Sequence, residues 1–234
     1  MVKKTKGNNK SKVVSRPSGA LKVDSKLISR AIKITDILHQ EYPNAKTYLD
    51  FQNPFQLLIS TILAAQCTDK KVNEVMGELY KKYKTPGDFL DVKPETLEKE
   101  LREITFFRQK TKAVQACCKA LVEKFNGEVQ HSMEDLTSLS GVGRKTANAI
   151  RGNCFGIPAI ITDTHVIKVS QRLGLTEKET GDKIEMDLVK IIPEDKQLTY
   201  SLTIGRHGRE ICMARKPKCG ECVINELCPS AFKW

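Results

Sequence analysis

No stretch of the chain approaches the roughly 18 consecutive apolar residues that a membrane span needs. The N-terminus is basic but has no apolar segment behind it, so it does not read as a secretory signal. Convincing alternation of apolar and polar residues, the mark of a half-buried strand, is missing, and no internal repeat is detectable. These absences point to an all-helical protein with no membrane partner. At 234 residues it can bury a real core in one or two domains.

What is present begins with charge. The net charge of +11 suits a polyanionic partner. Residues 1–26 carry eight Lys or Arg against Asp24 alone, which is +7 of that total and leaves +4 for the rest. Residues 1–23 are expected to form a disordered basic tail, either merely solvated or weakly attracted to nucleic acid.

Eight cysteines without an export signal argue against a disulfide framework. Cys67, Cys117, Cys118 and Cys154 are scattered through helical patterns and read as small core residues. Cys212, Cys219, Cys222 and Cys228 are instead clustered, spaced C-x6-C-x2-C-x5-C. Four thiolates with one C-x2-C knuckle suit either zinc or an iron–sulfur cluster, and spacing alone leaves both open.

Apolar residues from Leu27 to Leu38 predict a helix that ends before Pro43. Asn53-Pro54 opens a helix that is apolar nearly all round from Phe55 to Ala65, as a central helix should be. Thr68 caps a helix to about Tyr83, Thr85-Pro86 and Lys93-Pro94 open two short ones, and Arg108–Phe125 forms another. Ser132 opens a short helix through Leu139, and Arg144–Ile150 forms the next. Further helices are expected after Asp163, around Thr176–Ile191, and from Asp195 to His207.

Between Leu139 and Arg144, Gly141 and Gly143 bracket Val142, which lets the backbone take positive φ and approach another surface. The unit is helix, tight turn, helix, with free N–H groups at the start of the second helix, where anions are favoured. Arg144 and Lys145 stand in that first turn against the dipole preference, which suggests a functional reason for them.

The string Leu139-Ser140-Gly141-Val142-Gly143-Arg144-Lys145-Thr146-Ala147-Asn148 resembles the helix-hairpin-helix of the endonuclease III family of DNA glycosylases. Thr162-Asp163-Thr164-His165 resembles that family's catalytic-aspartate segment, and the resemblance runs from about Pro54 to Cys228. It implies an all-α fold of two lobes with a cleft between them. One lobe is a six-helix block, 48–157; the other joins 24–47 to 158–234 and holds a C-terminal cluster loop. The cysteine spacing is that of the family's [4Fe–4S] cluster.

By the same resemblance Lys145 is the nucleophile and Asp163 its proton partner, in a bifunctional glycosylase and abasic-site lyase removing oxidised pyrimidines. Only a neutral amine attacks, and an unperturbed lysine amine is neutral in about one molecule in a thousand near pH 7.4. Burial in a closed cleft, the nearby Arg144 or a proton acceptor must therefore assist. Asp163 also suits the cap of the following helix, and the two roles can coexist. Gln66 matches the family residue that fills the space left by a flipped base, and Phe106 the position that wedges the opposite strand. Gly141, Gly143, Arg144 and Lys216 match DNA contacts.

The expected partner is double-stranded DNA with damaged bases or abasic sites, bound by a monomer. The expected location is the cytoplasm, on the nucleoid. Ser140 and Phe106 depart from the family's usual proline and leucine. An adenine glycosylase acting opposite oxidised guanine, or a mismatch thymine glycosylase, would lack lysine at position 145; a non-catalytic hairpin module would not pair Lys145 with Asp163.

Overall fold

The computed structural model describes residues 23–233; the expected tail, apart from Val23, lies outside the described residues. Among them there is no strand. The α-helices are α1 (Ser25–Glu41), α2 (Pro54–Leu63), α3 (Asp69–Lys82), α4 (Pro86–Asp91), α5 (Pro94–Glu100), α6 (Phe107–Phe125), α7 (Met133–Ser138), α8 (Arg144–Phe155), α9 (Thr164–Arg172), α10 (Gly181–Leu188) and α11 (Gln197–Glu210).

Most starts follow from capping chemistry. Asp24, Asn53, Thr68 and Ser132 each accept a backbone N–H three residues on, and Pro54, Pro86 and Pro94 sit in first turns where no N–H is needed. Thr85 and Asp88 complete a reciprocal box.

Two segments differ from expectation. The helix expected around Thr176–Ile191 starts only at Gly181, because Thr176 turns its hydroxyl to Asp187 (2.8 Å) and accepts from Lys178 N (3.1 Å), holding a loop. The helix expected from Asp195 starts at Gln197, after a 3-10 turn at Glu194–Lys196.

Burial divides the helices into two cores. The first gathers α2 to α8 around Leu58, Leu63, Phe89, Leu121 and Ile150. Positions 55–63 of α2 are all buried. The second gathers α1, α9, α10 and α11 around Ile34, Leu38, Leu173, Tyr200 and Ile204. Each fully buried leucine contributes about 1.5–3 kcal/mol relative to exposure. The chain thus crosses between lobes twice, through 43–53 and through 156–163, and a cleft lies at the seam.

Candidate DNA-processing cleft and metal centre

The hairpin turn is tight because Gly141 adopts φ 79° and lies against α2 and α6; a Cβ there would stand 3.2 Å from Ile62 and 3.3 Å from Ala113. Gly143 differs from the expectation. Its φ is −96°, an ordinary value, and it is the N-cap of α8, with no side chain bonded to the helix's first N–H groups. The absence of a Cβ there leaves that end of α8 open to an approaching anion.

Arg144 also has a partner within the fold. Its Nε and one terminal nitrogen donate to the two oxygens of Glu185 at 2.7 and 2.8 Å, a bidentate pair from α8 to α10 across the lobes. The Glu185 hydrogen bond pushes the Arg144 pKa up. The Glu185 carboxylate is buried, whereas the Arg144 side chain stays 38% exposed.

Lys145, one residue on, is exposed in the free protein, so burial of its amine awaits a bound partner. It lines a solvent-open cleft together with Asp163, Tyr48, Thr61, Asp69, Asn153, Ser201 and Arg209. Lys145 enters from the first lobe and Asp163 from the second. Asp163 caps α9: its Oδ1 accepts from His165 N (2.9 Å) and Val166 N (2.7 Å). The other oxygen, Oδ2, is left over for the cleft, with Arg209 3.5 Å away.

Gln66 follows α2 and Phe106 precedes α6; both are exposed and both are left-handed, at φ 53° and 59°. Lys110, one turn into α6, is buried and donates its amine to Leu63 O at 2.8 Å, the end of α2. That bond ties the start of α6 to the end of α2, and burial pulls the Lys110 pKa down. Lys216, on the cysteine loop, is exposed and left-handed as well, at φ 52°.

The four clustered cysteines line one small apolar pocket whose walls include Val169, Leu173, Ile211 and Ile224. Four thiols gathered around one apolar pocket suit a metal centre, either zinc or an iron–sulfur cluster. The surroundings are built to hold sulfur: Arg172 reaches Cys212 Sγ (3.3 Å) and Met213 O (2.7 Å), while His207 Nε2 lies 3.4 Å from Cys222 Sγ. Arg30 of α1 donates to Gly174 O and Leu227 O, both at 3.1 Å, tying the loop to the second lobe.

Sequence reasoning missed Tyr48, Asp69, Glu185 and Arg209. Their partners stand far away along the chain, so no local pattern marks them.

Comparison with known proteins fits this geometry. Residues 59–194 match the model of the HhH-GPD superfamily base excision DNA repair protein, and residues 212–228 match the iron–sulfur binding domain of endonuclease III. Endonuclease III of Synechocystis is 47% identical over 203 residues, covering 86% of this chain and 93% of that protein. A solved non-covalent endonuclease III–DNA complex superposes with a TM-score of 0.84 at 39% identity, covering 88% of this chain and 97% of that one. A trapped covalent endonuclease III–DNA intermediate, an estranged-adenine complex, matches equally well. On these matches the chain belongs to the endonuclease III family of base excision DNA repair enzymes, with a [4Fe–4S] cluster as its cofactor.

Proposed function

We propose that Lys145 and Asp163 are the reacting pair of this bifunctional DNA glycosylase and abasic-site lyase. The observation that carries the reading is that the two residues, 18 positions apart and one from each lobe, line a single cleft beside the open N-terminus of α8. Oxidised pyrimidines in duplex DNA are the substrate, and the enzyme works as a monomer on DNA in the cytoplasm.

The α8 N-terminus and Lys216 face phosphates. Gln66 and Phe106 enter the stack as the damaged nucleotide leaves it. With the cleft covered by DNA, water is excluded from Lys145, and Asp163 Oδ2 serves as its proton acceptor. The Lys145 Nζ lone pair attacks the anomeric carbon and the glycosidic bond breaks towards the base, which leaves carrying a proton. The proton that Asp163 took from Lys145 passes to the departing base, and the restored carboxylate stabilises the positive charge on the sugar. The sugar ring opens to a Schiff base on Lys145. Loss of a C2′ proton then expels the 3′ phosphate, and the strand is cut by β-elimination. A [4Fe–4S] cluster held by Cys212, Cys219, Cys222 and Cys228 supplies a rigid cross-link for the loop that presents Lys216.

Borohydride should trap a covalent protein–DNA adduct on a thymine-glycol or abasic duplex, and Lys145→Gln should abolish it while lesion binding persists. Undiminished trapping by that variant would move the nucleophile elsewhere.

A further inference from the structure

Arg209, near the end of α11, stands at the seam of the lobes with four groups around its guanidinium. One terminal nitrogen lies 3.5 Å from Asp163 Oδ2 and 3.3 Å from Gly205 O. The other lies 3.6 Å from Asp69 Oδ2, and the guanidinium carbon stands 4.5 Å from the centre of the Tyr48 ring. These neighbours come from the cap of α9, from α11 itself, from the first residue of α3, and from the strap between α1 and α2.

Two consequences follow for Asp163. Its Oδ1 is consumed by the α9 cap, so the group standing at the reactive oxygen is Arg209. At 3.5 Å the contact is an ion pair too long for a strong hydrogen bond, so it orients Oδ2 without using up its lone pairs. The second consequence is charge. A lone arginine would cancel Asp163 and repel a cationic sugar. Asp69 shares the guanidinium, so the trio carries net −1 towards the cleft. Ion pairs this exposed add little to stability, which leaves stability alone a weak reason for the arrangement.

We infer that Arg209 is a positioning residue for base release, holding Asp163 Oδ2 towards the anomeric carbon while Asp69 keeps the trio net negative. The inference rests on the assignment of Asp163 to base release.

The test is a double-mutant cycle on the full-length, cluster-containing protein, read as single-turnover base release from a thymine-glycol duplex. Arg209→Gln should lose roughly 10-fold or more in rate, with affinity for the lesion duplex within about 3-fold, and Arg209→Lys should restore part of the rate. In an Asp163→Asn background the same Arg209→Gln change should cost under about 2-fold, because the group it positions is gone. An equal loss in both backgrounds would overturn the proposal. So would a loss confined to binding of undamaged duplex with a shallower salt dependence, which marks a phosphate contact. Should Arg209→Gln fail to fold, Asp69→Asn is the second variant: slower base release is expected, and an undiminished rate would refute the charge sharing. Full base release by Asp163→Asn alone would instead remove the parent assignment, so the two failures are distinguishable.

Discussion

Replacing Asp163 with Asn separates two jobs that one carboxylate performs. The cap needs only an oxygen acceptor, and Oδ1 takes both the His165 and Val166 N–H groups. Asn supplies that acceptor about as well as Asp, whereas Ala forfeits about 0.5–2 kcal/mol. The partly exposed ion pair with Arg209 adds ~0–1 kcal/mol at most. For a protein of this size 1 kcal/mol shifts the melting temperature by roughly 2–4 °C. Asp163→Asn should therefore melt within a few degrees of the parent, and Asp163→Ala below it. Base release should respond on another scale. Removing a positioned proton acceptor costs ~10²–10⁴-fold, or roughly 3–5 kcal/mol of barrier. Cleavage at a preformed abasic site should fall less, because no base has to depart. The assay is single-turnover release from a thymine-glycol duplex beside cleavage of an abasic duplex, with thermal melts of all three proteins. An Asn variant that releases base at the parental rate would reduce Asp163 to a helix cap.

Two further outcomes test the second lobe. Gly208→Ala should lower the melting temperature by several degrees, because the new Cβ would stand 2.8 Å from His165 Cβ and 3.1 Å from Val169. Overpacking of that kind costs about 1–3 kcal/mol against ~1 kcal/mol gained in helix propensity; an unchanged melt would show that α9 shifts freely. Metal analysis should find about four irons per chain and no stoichiometric zinc, and Cys219→Ser should yield poorly soluble protein; zinc in place of iron would refute the cluster assignment.

The features legible in the sequence were those whose cause is local. Asp24, Asn53, Thr68 and Ser132 announce helix starts because a cap acts over three residues. The hairpin and the cysteine spacing are equally short-range. The Arg144–Glu185 pair was not legible, since it joins residues 41 apart across the lobes. The α10 boundary was misplaced because Thr176 found Asp187, 11 residues on, a choice that propensity cannot foresee. Arg209 has the same origin: its meaning lies in Asp69 and Tyr48, which only the closing of the two lobes brings near.

The left-handed backbone at Gln66 and Phe106 has a bearing on how damage is first noticed. That basin is small for a residue with a Cβ, with steep walls on every side. A tip lodged there cannot drift into a neighbouring conformation as a loop in the broad extended basin can. The Lys110 bond to Leu63 ties the helix ends beside the two tips together. If both enter the duplex, the protein is the stiffer party, and the deformation falls on the DNA. The encounter then reads compliance before chemistry: a lesion that has already loosened its stack yields cheaply, whereas an intact step resists. On that view the cleft inspects only nucleotides that the duplex has half surrendered, and discrimination begins outside the pocket that completes it.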